Sequence, residues 1–156
     1  MKAKTITEVL TDHHQEMREL IEQIKEDQSK FIVLKKHLDI HHELEEDLLL
    51  NELNGKKDIK DESLESQEEH FVLNVLLLDL ADFPIDNFRW MVKFKVLEEI
   101  INHHLDEEEE DLFPEVKKYL PRKKLIDLGT QFQELKKKRL LAAMESSGEC
   151  IKRLSR

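Results

Sequence analysis

Apolar residues recur at spacings of three and four along most of the chain, the pattern of amphipathic helices. In the first such segment Leu10, Met17, Ile21 and Ile24 form one stripe. Thr5-Ile6-Thr7-Glu8 has the form of a capping box, so a helix is expected over residues 5–26. A second, over 29–53, carries Phe31, Leu34, Leu38 and Leu48 and is stopped by Asn54-Gly55. The polar stretch 56–61 reads as a connection. A third helix, over 62–81, carries Leu73, Leu76, Leu77 and Leu80. Phe83-Pro84-Ile85-Asp86-Asn87 reads as a turn, with Asp86 or Asn87 able to cap a fourth helix over 88–112. That helix presents Trp90, Phe94, Leu97, Ile100, Ile101 and Leu112 and is expected to stop near Pro114. Leu120-Pro121 opens a fifth, to residue 144, with Leu125, Leu128, Phe132 and Leu135 inside. The fold expected is all-α: an up-and-down four-helix bundle with an additional C-terminal helix against one side. Residues 1–144 form its single domain and 145–156 a mobile tail.

Composition sharpens this by exclusion. Only 3 Gly and 3 Pro occur in 156 residues, too few for a sandwich or barrel. A net charge of −10 argues against nucleic acid and anionic membrane as partners. The single cysteine, Cys150, excludes a disulfide framework and a Cys-ligated cluster within one chain. No apolar run approaches the ~20 residues of a membrane span, and residues 1–10 lack the core of a signal peptide. A soluble cytoplasmic protein is expected. The 8 histidines are the feature these exclusions leave unexplained.

Polar residues interrupt the apolar stripe of each of the first four helices. They are His14 in the first, His41 and Glu45 in the second, His70 in the third, and His104 and Glu108 in the fourth. One such histidine is ordinarily a satisfied core residue; four on four helices are harder to explain so. A buried carboxylate without a partner costs several kcal/mol, and neither stripe offers a Lys or Arg to offset it. A cation would. In an up-and-down bundle, His14 and His70 lie about nine residues after their helix starts, and the two carboxylates lie within about eight of their helix ends. At ~1.5 Å per residue, all six share one level. His41-x-x-x-Glu45 and His104-x-x-x-Glu108 place an imidazole and a carboxylate one turn apart on one face. Four nitrogens and two carboxylates are too many for one ion and suit two, with iron or manganese favoured over calcium or magnesium.

These segments resemble the hemerythrin-like cation-binding family in its His-His-Glu form. The resemblance covers roughly residues 5–120. It is carried by Thr11-Asp12-His13-His14-Gln15-Glu16-Met17, His41-His42-Glu43-Leu44-Glu45-Glu46, Glu68-Glu69-His70-Phe71-Val72 and, most specifically, the run from His103-His104 through the Glu stretch to Phe113-Pro114. The resemblance implies a non-haem di-iron centre with Glu45 and Glu108 as bridging carboxylates. It also implies binding or sensing of dioxygen or another small diatomic ligand, or an enzyme acting on peroxide or nitric oxide, or an iron donor for repair of iron–sulfur centres. Five-His members carry a further ligand four residues after the third-helix histidine; here that position is Asn74. Asn74 is expected to approach the metals without ligating them, leaving an open site, with His37 the other candidate for the missing ligand. His13, His42 and His103 point ~100° away from their neighbours and read as surface residues. Glu109 is the alternative to Glu108. Lys136-Lys137-Lys138-Arg139 reads as a solvated helix end. Ligand identity and oligomeric state are not legible.

Overall fold

In the computed structural model the backbone is described for residues 2–154 and side chains for 2–146, so Cys150 lies outside the described side chains. The described residues are all-helical, without strands. The first helix, α1, is Ile6–Glu26. Its capping box forms as the sequence predicts: the Thr5 side chain accepts from the Glu8 N–H, and the Glu8 carboxylate accepts from the Thr5 N–H at 2.8 Å. After a 3₁₀ turn at Gln28–Lys30, α2 is Phe31–Glu45. It continues through a π turn, Glu46–Leu50, into a last α-helical turn, Asn51–Asn54. The third, α3, is Lys60–Asp82, and the fourth, α4, is Trp90–Glu107. Ahead of α4, Asn87 Oδ1 accepts from the Arg89 N–H at 2.9 Å.

Two expected helix ends differ from those observed. Pro114 does not stop the fourth helix. A second π turn, Glu108–Leu112, leads into a fresh α segment, Phe113–Tyr119, with Pro114 in its first turn. The Phe113 N–H bonds the Glu108 carbonyl five residues back, so the ordinary i→i−4 ladder is already interrupted where the proline stands. The last helix, α5, is Arg122–Leu154 and passes the expected end at residue 144. No described helix is long and apolar enough to cross a membrane.

The first four helices enclose the interior by contacts of α1 with α2, α2 with α3, α3 with α4 and α4 with α1, while α5 lies against α1 and α2. The interior is two apolar cores. One gathers Met17, Ile21, Leu34, Leu38, Leu73, Leu77, Trp90, Phe94 and Ile101. The other gathers Ile6, Leu10, Leu44, Leu49, Leu50, Leu112, Phe113 and Val116, and α5 completes it with Leu125, Leu128 and Phe132. Along each of the first four helices, the buried histidines and glutamates stand between these two cores.

Seating α5 depends on Gly129. A Cβ there would stand 2.5 Å from the Lys4 carbonyl oxygen, 2.8 Å from Thr5 C and 2.9 Å from Ile6 N. All three are backbone atoms and cannot step aside as a flexible side chain can. Gly129→Ala is therefore expected to destabilise by about 1–3 kcal/mol through overpacking, although alanine by itself favours a helix. A lower urea midpoint is the expected reading; a raised one would show that α5 does not seat this closely on α1. The basic block also serves this docking. Lys136 reaches Glu16 at 3.1 Å and Arg139 reaches Glu43 at 3.1 Å, so it straps α5 to α1 and α2 and is not merely a solvated end.

Candidate metal centre

The six residues that interrupt the apolar stripes converge between the two cores. His14, His41, Glu45, His70, His104 and Glu108 are each no more than 3% exposed. The helical phase explains their meeting. His14 lies four residues after Leu10 and three before Met17, and His70 lies three before Leu73, so each follows its helix's buried stripe inward. On α2 and α4, Glu45 and Glu108 fall one turn after His41 and His104, and a π turn follows Glu45 and begins at Glu108. Such widened turns concentrate at functional sites.

All four imidazoles turn Nε2 toward the carboxylates. Glu108 Oε2 lies 3.1 Å from His14 Nε2. Glu108 Oε1 lies 3.4 Å from His70 Nε2 and 2.9 Å from His104 Nε2. Glu45 Oε2 lies 3.5 Å from His41 Nε2 and 3.6 Å from His70 Nε2. His14 and His41 face one another, Nε2 to Nε2, at 3.1 Å. The donor atoms of His14, His41 and Glu108 lie within 4.8 Å of one another, and so do those of Glu45, His70 and Glu108. The two groups share Glu108.

Each Nδ1 is turned outward, three of them to a hydrogen-bond partner. His70 Nδ1 lies 2.9 Å from Glu46 Oε1 and His104 Nδ1 lies 3.4 Å from Glu69 Oε1, while His14 Nδ1 faces Glu109 Oε2 at 3.5 Å without hydrogen-bond geometry. His41 Nδ1 meets His13 Nδ1 at 2.9 Å. Outer carboxylates on Nδ1 fix the ring orientation that leaves Nε2 free to ligate, as around metal-bound histidines. Arg18 in turn pairs with Glu109.

The cluster is electrostatically unfinished. Both Glu45 oxygens, Glu108 Oε2 and His104 Nε2 are buried without a hydrogen-bond partner; the 2.9 Å approach of His104 Nε2 to Glu108 lacks hydrogen-bond geometry. Burial, and then the Glu108 charge, push Glu45 up to about 8. At Glu108 burial pulls the same way, but His104, His14 and His70 outweigh it and hold the carboxyl well below its usual range. Burial opposes protonation of His70, yet Glu108, Glu46 and Glu45 raise it to about 9. His104 and His14 are raised against burial by the same kind of carboxylate contacts. His41 is lowered by burial and by its neighbours His14 and His13. Cation-free, the core keeps protons on imidazoles to offset a buried carboxylate. A divalent cation offsets it directly, and the mixed nitrogen and oxygen donors fit a transition metal.

Residues 5–116 match the family model described as Hemerythrin HHE cation binding domain. The chain belongs to this family. Comparison with curated proteins and with solved structures returns no match.

Within this hemerythrin HHE domain, several flanking residues stand elsewhere than expected. His13 and His42 are buried, not on the surface. His13 is covered by α5, with Phe132 edge-on to its ring, and its Nε2 meets His37 Nδ1 at 2.8 Å. His42 stacks on His70 with ring centroids 4.0 Å apart, and its Nε2 has no partner. It forms a further close group with His70 and His104. His103 is exposed, as expected. Asn74 is exposed on the outer side of α3, at the wall of an open pocket that His42 and His70 also line. The residue beside His70 is therefore His42, from α2. His37 groups with His13 and Glu16, and not with Glu45 or Glu108. Nothing in the sequence marks Glu46, Glu69 and Glu109 as neighbours of the imidazoles, because acidic residues near each histidine are abundant and carry no distinguishing spacing.

Proposed function

We propose that the chain holds two iron ions in this cluster, bridged by Glu45 and Glu108, and there binds or senses dioxygen or a related small redox ligand. In this reading α1–α4 form an up-and-down four-helix bundle, with α5 the additional helix. One observation carries it: each carboxylate reaches imidazoles of two separate pairs. Glu108 spans from His14 to His70 and His104, and Glu45 spans from His41 to His70. A carboxylate placed between two nitrogen pairs is suited to bridge two ions. His14 and His41 would serve one ion, His70 and His104 the other, and His42 stands beside the second pair as a further nitrogen donor. Two ferrous ions so held supply electrons and open positions for a diatomic ligand. The protein's part is to orient the imidazoles through Glu46, Glu69, Glu109 and His13, and to enclose the site between two apolar cores.

The test is iron analysis with Mössbauer spectroscopy on protein from iron-replete growth, followed by optical spectra of the diferrous form before and after oxygen. Two irons per chain and a reversible spectral change are expected. One ion per chain, or zinc alone, would overturn the reading. Catalytic turnover of peroxide would move it to an enzyme.

The same site predicts a pH dependence. His70 sits at about 9 against an ordinary 6.5, and His14 and His104 are raised as well. Protons therefore hold the Nε2 atoms an ion needs, and metal uptake must release them. Affinity is expected to keep rising from pH 6.5 toward 9, beyond the range where ordinary histidines have finished titrating. Calorimetry in two buffers of different ionisation enthalpy counts the protons. No release at pH 7 would show that the imidazoles are already neutral.

A further inference from the structure

A cleft of about 130 Å³ between α3 and α4 leads to the core cluster. Glu62, Glu65 and Asp111 are exposed at its rim, Glu69 and Glu107 are half-buried on its walls, and Ser66 and Glu108 are buried at its floor. Positions 62, 65, 66 and 69 recur at i, i+3, i+4 and i+7, so a single face of α3 delivers its side. No lysine or arginine lines it. Facing carboxylates repel one another, and helix pairs ordinarily relieve this with opposite charges. The pocket over His42 and His70 is also acidic, lined by Asp39, Glu43, Glu46 and Glu68, but two of its four carboxylates are paired from outside the lining, Asp39 by Lys35 at 2.7 Å and Glu43 by Arg139 at 3.1 Å.

The floor shows what the acidic walls lead to. Glu108 is 2% exposed and lines the cleft. Its Oε1 accepts from the Ser66 hydroxyl at 3.1 Å, while its Oε2 has no hydrogen-bond partner. That Oε2 faces His14 Nε2 at 3.1 Å, so the acidic passage ends on a buried carboxylate that belongs to the core cluster itself.

We propose that this cleft is the route by which divalent metal cations enter the core, an inference that rests on the metal reading of that core. The rim carboxylates concentrate cations and steer them inward. Glu69 and Glu107 exchange with part of the ion's hydration shell. Glu108 is then the first buried group to receive it. Steering of this kind raises association rates by roughly ten- to a thousandfold and weakens with salt.

The test is stopped-flow uptake of cobalt(II), followed by its visible absorption, into the full-length protein after chelation, with helix content checked by circular dichroism. The triple variant Glu62→Gln/Glu65→Gln/Asp111→Asn changes only exposed residues. Its uptake rate is expected to fall about tenfold and to lose most of its salt dependence. Its final cobalt content and spectrum should equal those of the wild type. Asp39→Asn/Glu43→Gln, at the other pocket, should load at the wild-type rate. A wild-type rate in the triple variant, or an equal fall in the Asp39/Glu43 variant, overturns the route while leaving the metal centre standing. No cobalt binding by the wild type overturns the metal centre and the route with it.

Discussion

Glu108→Ala is expected to lose cation affinity by far more than a hundredfold, and Glu45→Ala by a comparable factor. Each removes an acceptor that faces imidazoles of both pairs, so in the proposed two-ion site both ions would lose a ligand together. Glu46→Ala and Glu69→Ala should fall between, at about ten- to a hundredfold, because they free the Nδ1 side of His70 or His104 without touching Nε2. Glu107→Ala and His103→Ala should retain wild-type affinity at equilibrium, since neither side chain reaches a core imidazole. Competition against a chelator of known affinity measures the whole series. Equal losses across the three groups would mean that the inward face of α2 or α4 is wrongly assigned.

The second large effect is on stability. Stripping the metal leaves Glu45 buried with both oxygens unsatisfied and returns protons to the imidazoles. Ligand linkage is worth about 4 kcal/mol at a thousand times Kd. For a chain of this size that corresponds to a fall in melting temperature of about 10 °C. Glu45→Leu should show the opposite balance. It cannot load normally, but its metal-free form should melt at or above the wild-type metal-free form, because an apolar side chain replaces a buried carboxyl whose oxygens have no hydrogen-bond partner. Calorimetry with and without chelator reads both. An unchanged wild-type transition on chelation would show that the core needs no cation.

The helices and the six inward residues could be read from the sequence because hydrophobic periodicity and i, i+4 spacing are local. What could not be read is non-local. Leu48 fits the stripe of an unbroken α-helix, yet Leu49 and Leu50 are the fully buried residues, because the π turn rotates the chain just after Glu45. Pro114 reads as a stop only if no helical segment restarts before it. His13 and His42 read as exposed because one face of an isolated helix must meet solvent. In the protein, α5 covers the first and the His70 ring covers the second. Its spacing from His70 puts Asn74 inward, but the inward line of α3 runs from His70 to Leu73 and Leu77.

The two π turns also bear on how this chain can change in length. Such a turn is an α-helix with one surplus residue wound into it. Deleting exposed Asp47 or Glu110 would return that stretch to ordinary winding and keep the residues on either side in phase. The same deletion in the middle of α1 would turn everything beyond it by ~100° and exchange its buried and exposed faces. Single-residue loss, usually confined to loops, therefore has two tolerated places inside the helices, each directly beyond a carboxylate of the cluster.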